Sequence, residues 1–374
     1  MSQQVHQLLN FGIVGIGGRP KSFLSAFEKS GRARLAAVCD LNRETMEENI
    51  KGIPDVTMYT DYNEMLAKED LDAVIIGTPL PLHVSQSIAA LEKNIHVFSE
   101  VTAGVSVEEC KALYQACKRS GAQYMLGENC NYMRSNMIVA NMARDGLFGE
   151  LCYAEGEYNH DCRDLLPQTP WRKKWLYDVE GVTYGTHSLG PILSWFEKDR
   201  VVSVCSAGSN GVTADLEGNP LNSPTCRIML CKTEKGRLIK IKNNLSSPRP
   251  YGLGYVLEGS KGAFQSFGQE TKQPNLDRIW IEGLSDKMRW DALSAFEDKY
   301  LPEIWRRHSD QADAKGHAGA DVITMIDFID ALYEGKASPI DIHAAMDMTL
   351  PGLISQRSAA QGGVWLPVPD SREW

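Results

Sequence analysis

The sequence predicts an N-terminal α/β domain with a parallel sheet and a C-terminal α+β domain with an open, mainly antiparallel sheet. Up to residue 128, short β-branched runs alternate with amphipathic helical stretches, which is typical of a parallel sheet covered by helices. Beyond this point, longer extended segments are separated by Gly, Asn and Pro turns. A chain of 374 residues is also too long for one ordinary core. We therefore assign 1–128 to the first domain and 129–374 to the second.

Local patterns predict the individual elements of both domains. In the first domain we expect strands at 11–16, 35–40, 73–78, 96–99 and 123–126. Ser106 and Glu109 form an S-x-x-E capping box, which predicts a helix that Gly121 ends. In the second domain we expect a helix near 137–144 and then strands at 149–160, 201–206, 225–231, 238–245 and 254–258. The segment 232–236 predicts a hairpin between two of these strands.

Composition and charge exclude several classes of function. The net charge of −9 would repel a phosphate backbone, and no cluster of Lys and Arg offsets it, so we expect no nucleic-acid partner. No stretch approaches the roughly 18 apolar residues that cross a bilayer, so we expect no membrane insertion. The nine cysteines form no C-x-x-C pair, which favours reduced thiols in a cytoplasmic protein. A small-molecule ligand fits this composition better.

A glycine-rich turn follows the first predicted strand. Gly15, Gly17 and Gly18 precede Arg19 and a helix, and Asp40 ends the next strand about 20 residues further on, as the dinucleotide fingerprint of a Rossmann domain requires. The glycines let the backbone approach a pyrophosphate at the N-terminus of the helix. Asp40 can accept from both ribose hydroxyls and would repel a 2′-phosphate, so NAD is favoured over NADP.

Two features of this turn leave an alternative open. Pro20 occupies the sixth position of the fingerprint, where glycine is usual, although proline suits the first turn of a helix. A glycine turn can also do no more than pack a strand on a helix, and Asp40 alone could be a solvated strand end. The strand, the helix and the acid together favour the cofactor site.

Further motifs resemble the Gfo/Idh/MocA oxidoreductase family over nearly the whole chain. Thr78, Pro79 and His83 are similar to the nicotinamide-side loop of that family. Glu100 matches the first residue of its E-K-P signature, but Val101 stands where the lysine is expected. A dehydrogenase needs a group that takes the proton of the substrate hydroxyl, and a valine side chain cannot do this. The departure argues against a simple dehydrogenase.

The central and later segments are similar to one branch, the NAD-dependent glycosidases of glycoside hydrolase family 109, which also carry Glu-Val. The similar segments are 128–132, 145–150, 156–161, 184–191, 247–251 and 316–321. The aromatic residues that this branch places before its loop histidine are Leu80, Pro81 and Leu82 here. The N-acetylgalactosamine specificity of the branch is therefore not carried over, and the resemblance implies a sibling NAD-dependent glycosidase.

The resemblance implies a redox route to hydrolysis. NAD would oxidise a sugar hydroxyl at C3, which acidifies the C2 proton; the aglycone is then eliminated, water adds, and the sugar is reduced again. We choose His187 for the hydroxyl proton because histidine titrates near neutrality. Tyr158 and Tyr184 are candidates for the C2 proton or for holding the substrate, and which does which is open. A half-buried sheet tyrosine is the alternative for Tyr158.

The remaining site residues follow from the same resemblance. Glu100, Val101 and Asn129 are assigned to the cofactor, since ligands of open α/β sheets bind at strand ends. The substrate is assigned to Tyr158, Arg163, Trp171, Arg172, Tyr184, His187 and Tyr251. The arginines could meet an anionic sugar. A solvated loop is the favoured alternative, because charge runs usually face water.

Two groups of residues superficially suggest metal ligands. His160, Asp161 and Cys162 are adjacent, but neighbours on a strand point to opposite faces. His317 and Asp321 form the second group. We expect no metal in this protein.

Two other functions remain open alongside the glycosidase. One is an NAD-dependent sugar or glycoside 3-dehydrogenase in which His187 replaces the missing lysine. The other is a dinucleotide-binding regulator without turnover. We expect a carbohydrate as the substrate and a homo-oligomer, a dimer or a tetramer, because an open sheet edge invites pairing.

Overall fold

The computed structural model describes residues 8–209, 213–221, 224–266, 277–312 and 319–374. Within these ranges the chain divides into two compact units. The first unit contains the residues up to Asn129, those from His308 to Met346, and Trp374. The second contains Cys130–Arg307 and Asp347–Glu373. Each unit thus includes a segment from a distant part of the chain, whereas the predicted domains are continuous ranges. The ranges 1–128 and 129–374 stay a prediction.

Strands of both units alternate with turns and helices along the chain. The described strands are β1 (Leu9–Val14), β2 (Ala33–Cys39), β3 (Thr57–Tyr59), β4 (Ala73–Ile76), β5 (His96–Ser99), β6 (Tyr124–Leu126), β7 (Leu151–Asn159), β8 (Val201–Gly208), β9 (Thr213–Ala214), β10 (Pro220–Leu221), β11 (Arg227–Thr233), β12 (Leu238–Asn244), β13 (Gly252–Gly259), β14 (Gly262–Gln265), β15 (Arg278–Ile281), β16 (Asp291–Ala292) and β17 (Leu366–Pro367). Each strand predicted from the sequence is confirmed, with ends that differ by up to two residues. The short strands β3, β9, β10 and β14–β17 were not predicted.

The helices begin where the sequence offers caps or follow directly from tight turns. The described α-helices are α1 (Leu24–Ser30), α2 (Arg43–Asn49), α3 (Tyr62–Lys68), α4 (His83–Leu91), α5 (Val107–Arg119), α6 (Arg134–Arg144), α7 (Thr186–Phe196), α8 (Glu297–Tyr300), α9 (Glu303–Ala312), α10 (Ala320–Tyr333) and α11 (Ile342–Ala360). The capping box before α5 is confirmed, because Ser106 Oγ accepts from Glu109 N at 3.1 Å. The Glu109 side chain accepts from Val105 N at 3.0 Å. In a standard capping box this bond would come from the N-cap residue, Ser106. None of the described helices is long and apolar enough to span a membrane.

The first unit is built on a six-stranded sheet in the order β3-β2-β1-β4-β5-β6. All neighbouring strands pair in parallel, so the predicted Rossmann arrangement is confirmed. Helix α10 belongs to this unit, and its Phe328 lies 6.1 Å from Phe11 and 5.6 Å from Phe98 between ring centroids. A segment that the sequence assigned to the second domain thus completes the core of the first unit.

The second unit is built on a nine-stranded sheet in the order β16-β15-β14-β13-β7-β12-β11-β8-β17. Its described pairs are antiparallel except β7 with β12, which confirms the open, mainly antiparallel sheet. The hairpin predicted at 232–236 joins β11 to β12, where Thr233 N donates to Arg237 O at 3.0 Å. Buried residues alternate with exposed ones along β11, so one face of the sheet is covered.

Candidate active site

The glycine turn after β1 has the geometry of a dinucleotide cradle. Gly15 has a φ of 84°, and a Cβ there would lie 2.7 Å from Thr78 N, so only glycine fits. Gly17 N donates to Asp40 Oδ2 at 3.2 Å, which ties the turn to the end of β2. A Cβ at Gly18 would meet no described heavy atom within 4 Å. The backbone can therefore approach a ligand closely on this side.

Pro20 occupies the sixth position of the fingerprint, where glycine is usual, and the turn keeps its geometry. It lies buried in the 3₁₀ turn Arg19–Phe23, where its missing N–H costs no hydrogen bond. A Cβ on Gly77, at the end of β4, would overlap the Pro20 ring. The close approach that a third glycine normally provides comes instead from Gly77 on the neighbouring strand.

The residues of this turn fit the NAD that the sequence predicts. Asp40 accepts from Gly17 N and from Asn42 N at 3.0 Å, which orients its carboxylate at the strand end where ribose hydroxyls bind. The 3₁₀ turn has no side-chain cap within the described ranges. A pyrophosphate would bind at the start of this turn, as in other dinucleotide-binding domains.

Arg19, assigned to the cofactor from the sequence, is held by a buried carboxylate. Its Nη1 and Nη2 donate to the two oxygens of Asp321 at 2.8 Å each, and its Nε lies 3.5 Å from Glu100 Oε1. Asn129 Nδ2 donates to Asp321 Oδ1 at 2.7 Å. Two predicted cofactor residues, Arg19 and Asn129, are therefore joined through Asp321, and Glu100 lies next to Arg19. The sequence suggested Asp321 only as a metal ligand. Its suggested metal partner, His317, lies outside the described residues.

His83 connects the ends of two parallel strands. Its Nε2 lies 2.9 Å from Thr78 O and its Nδ1 lies 3.3 Å from Thr102 O. Burial lowers the pKa of His83. The imidazole thus positions the loop with Thr78 and Pro79, assigned to nicotinamide, relative to the loop that carries Val101.

In the second unit, side chains from separate segments gather into what we call the ring cluster, formed by Tyr158, His160, Tyr184, His187 and Tyr251. Tyr158 is central: its ring centroid lies 5.1 Å from that of His187, 5.9 Å from Tyr184 and 6.3 Å from Tyr251. His160 lies 4.9 Å from Tyr251 between centroids. The structure thus brings together the three predicted catalytic residues and one predicted substrate residue.

Packing of α7 against β7 places the ring cluster. A Cβ on Gly156 would lie 2.7 Å from Ser188 O, so glycine is needed where the helix meets the strand. Asn243 Nδ2 donates to Tyr184 O at 3.0 Å, and Tyr255 Oη donates to His187 O at 2.7 Å. The backbone that carries Tyr184 and His187 is therefore anchored to β12 and β13.

Tyr158 is buried, and its Oη lies 2.9 Å from His160 Nδ1. Burial raises the pKa of Tyr158 well above its usual 10. A tyrosine that accepts the C2 proton would need a lowered pKa, so this environment favours a hydrogen-bonding role. His160 was missed as a site residue, although its spacing of two from Tyr158 places both on one face.

The predicted basic residues after β7 have different partners. Arg163 forms a bidentate pair with Asp161, at 2.8 Å from Nε and 2.7 Å from Nη2. Arg172 donates from Nε to Thr169 Oγ1 at 2.9 Å and stacks on Trp171, 4.6 Å from its centroid. The charge of Arg163 is thus neutralised by a carboxylate, whereas the described contacts of the Arg172 guanidinium are with the Thr169 hydroxyl and the Trp171 ring.

Two family models match the chain, one in each half. Residues 9–128 match the oxidoreductase family with the NAD-binding Rossmann fold. Residues 132–215 and 224–373 match the C-terminal domain of glycosyl hydrolase 109. NAD is therefore the cofactor of this chain.

Individual relatives show the same combination. A glycosyl hydrolase family 109 protein from Streptomyces filamentosus is 31% identical over 96% of this chain and 76% of the relative. An alpha-N-acetylgalactosaminidase from Tannerella forsythia is 27% identical over 97% of this chain and 86% of the relative. A levoglucosan dehydrogenase in complex with NADH and levoglucosan shares the fold, with a TM-score of 0.79 and 19% identity over 97% of this chain and all of that one. The chain belongs to glycosyl hydrolase family 109 and is an NAD-dependent glycosidase.

Proposed function

We propose that this glycosidase cleaves its substrate by transient oxidation at C3, with the sugar held on the ring cluster. The observation that carries the proposal is the convergence of Tyr158, from β7, with Tyr184 and His187, from the segment that begins α7. Their ring centroids lie between 5.1 and 5.9 Å apart. Aromatic rings with a few convergent polar groups are typical of small-molecule sites. Bound NAD supplies the reversible oxidation of the sugar hydroxyl.

In this proposal His187 accepts the proton of the C3 hydroxyl. His187 lies in the first turn of α7, and its backbone carbonyl accepts a hydrogen bond from Tyr255 Oη, which anchors the backbone that carries the imidazole. A residue other than Val101 must accept this proton, because the buried valine side chain has no proton-accepting group. His187 therefore takes the role that a lysine would have in a dehydrogenase of this fold.

The C3 ketone acidifies the neighbouring C2–H bond. We assign the role of base for the C2 proton to Tyr184, because burial keeps Tyr158 a neutral phenol. Tyr158 then donates to the enolate oxygen that develops. The C1–O bond breaks, and the aglycone leaves with a proton. Water then adds across the double bond, with its hydroxyl at C1 and a proton at C2, and the ketone is reduced again, so the net reaction is hydrolysis.

An isotope experiment tests this sequence of steps. Aryl glycosides incubated with the NAD-loaded protein in D₂O should release the aglycone, without stoichiometric NADH, and the sugar product should carry deuterium at C2. Retention of the original C2 hydrogen would contradict the proposal. Steady accumulation of NADH with free sugars would instead indicate a dehydrogenase.

A variant tests the assignment of His187. His187→Gln should lower kcat by 10²-fold to 10⁴-fold, the usual contribution of a positioned acid or base, while NAD binding is retained. His343→Gln is the matched control, because His343 packs against Tyr114 within the first unit and is not part of the ring cluster. Equal activity of both variants would exclude His187 from the chemistry.

We further propose a cytoplasmic homo-oligomer, a dimer or a tetramer. All nine cysteines are free thiols, which supports a reducing compartment. The described edge strands β16 and β17 have two residues each, so an open sheet face offers more area for pairing than the edges. Light scattering coupled to size-exclusion chromatography should give a mass of at least two chains, and a monomer would contradict this.

A further inference from the structure

Arg227 is a buried cation that the steps above do not use. It is the first residue of β11 and lies on the covered face of the sheet, with Met229 and Cys231. Only 3% of its surface is exposed. Arginine is rarely this buried without a charged partner.

The register of the sheet places Arg227 in the same row as the ring cluster. Arg227 is paired with Asn243 on β12, and Asn243 is paired with Tyr158 on β7. Paired residues project from the same face, so the three side chains share one side of the sheet. The Cα atoms of Arg227 and Tyr158 are two strand spacings apart, about 10 Å. An extended guanidinium can cover much of that distance.

The hydrogen-bonding capacity of this row is not filled. Arg227 Nε and Asn243 Oδ1 are buried and have no partner among the described residues. Asn243 uses its Nδ2 on Tyr184 O, so its position beside the ring cluster is fixed. Buried polar atoms without partners are rare in native proteins and call for an explanation such as a ligand.

The charge of Arg227 is also not balanced nearby. Burial lowers the pKa of Arg227 to about 10, so it remains a cation at neutral pH. Neighbouring Arg163 is neutralised by Asp161, whereas no described carboxylate forms a salt bridge with Arg227 or Arg172. Burying an unpaired charge is costly, which favours binding of an anion.

We propose that Arg227 binds an oxyanion on the substrate, so that the preferred glycosides carry a carboxylate or a sulfate group. This inference rests on the proposed function, because it places the substrate on the ring cluster. Arginine suits the role since its planar fork matches the oxygens of carboxylates and related anions. Arg227 is thus a specificity-determining residue for the substrate.

Turnover of matched substrates tests the proposal. Aryl glucosides and galactosides are compared with their 6-carboxylate and 6-sulfate counterparts, and at least one charged substrate should exceed its neutral parent in kcat/KM by about tenfold or more. Arg227→Met should lower the charged activity by on the order of 10²-fold more than it lowers the neutral activity. Lys242→Met is the matched control, because it removes a cation from β12 on the opposite face, where Lys242 pairs with Glu157.

Direct binding separates this inference from the proposed function. Calorimetry with NAD-loaded protein measures the affinities for D-glucuronate, D-galacturonate and glucose 6-sulfate and compares them with those for glucose and galactose. At least one anion should bind the wild type about tenfold tighter than its neutral parent, and Arg227→Met should remove that preference. If anions bind in this way but no glycoside is cleaved, the proposed function fails and the inference stands. If neutral glycosides are cleaved and no anion is preferred, the inference is overturned and the function stands.

A purely structural role for Arg227 makes a different prediction. A structural arginine replaced by methionine would lower the Tm of the ligand-free protein, whereas a buried cation that awaits an anion should leave the Tm equal or higher. Glucuronate or galacturonate should then raise the Tm of the wild type and not of Arg227→Met. A lowered Tm with unchanged substrate preference would overturn the proposal.

Discussion

The cofactor region of the first unit and the ring cluster of the second unit differ in how the arginine beside each is held. In the first, Arg19 is bound by Asp321, and Asp40 accepts two backbone amides. Beside the second, Arg227 Nε and Asn243 Oδ1 are buried and have no partner among the described residues. Arg19 is therefore positioned by a carboxylate of the protein, whereas Arg227 keeps hydrogen-bonding capacity for a substrate. This suits one cofactor that returns to its starting state and substrates that change at every turnover.

The largest expected effect tests the preorganised cofactor turn. Gly15→Val forces a side chain into a φ of 84° and against Thr78 N. Strain and clash together cost about 4 kcal/mol. We therefore expect NAD binding, measured by calorimetry, to weaken on the order of 10³-fold. Gly31→Ala is the control, because Gly31 also has a positive φ but a Cβ there meets no described atom within 4 Å. Similar NAD affinities in both variants would refute a steric role for Gly15.

A smaller effect is expected in the ring cluster. Tyr158→Phe removes one hydroxyl donor, so kcat/KM should fall on the order of 10²-fold, as when one oxyanion donor is lost. Because burial holds the pKa of Tyr158 well above 10, the limbs of the pH–rate profile between pH 5 and 9 should not move, within about 0.3 units. Loss of a limb in the variant would show that Tyr158 titrates during catalysis.

The smallest effect concerns the stability of the first unit. His96 Nδ1 accepts from Gln123 N at 2.8 Å, and burial lowers the pKa of His96, so the folded state prefers the neutral ring. The unfolded chain has a pKa of about 6.5 and binds protons first. This contribution to stability is therefore present above pH 6.5 and is lost as the pH falls towards the folded pKa.

Melting temperatures between pH 7.5 and 5.5 test this expectation. The Tm of the wild type should fall over this interval, and the fall should be shallower in His96→Asn, which keeps an acceptor but does not titrate. Some decline should remain because burial also lowers the pKa of His83. Identical slopes in both proteins would mean that His96 is not responsible.

The glycine turn and Asp40 could be predicted because the residues that form this part of the cofactor region are close together in the sequence. Gly15, Gly17 and Asp40 lie within one strand–helix–strand unit, and their spacing alone determines where they meet. Asp321 shows the limit of this approach, because it joins the region through α10, hundreds of residues further along the chain. No short-range pattern links the two segments.

The ring cluster was predictable only as a set of residues, not as an arrangement. Tyr158 and Tyr251 meet because β13 pairs with β7, and the pairing of strands with long separations has no local signal. Arg227 was missed for the same reason, since its place beside Tyr158 depends on the register of three strands. The alternation along β11 shows that Arg227 is buried, but not what it faces.

The close contact between the Pro20 ring and Gly77 restricts the order in which these two positions can be substituted. A larger residue at position 77 is blocked as long as the Pro20 ring fills the space, while a glycine at position 20 meets no such obstacle. Substitution at 20 is therefore a precondition for substitution at 77, which is a case of sign epistasis between the 3₁₀ turn and the end of β4. Related chains should show proline at the sixth position together with glycine at the end of the fourth strand, and searches for three glycines alone will overlook them.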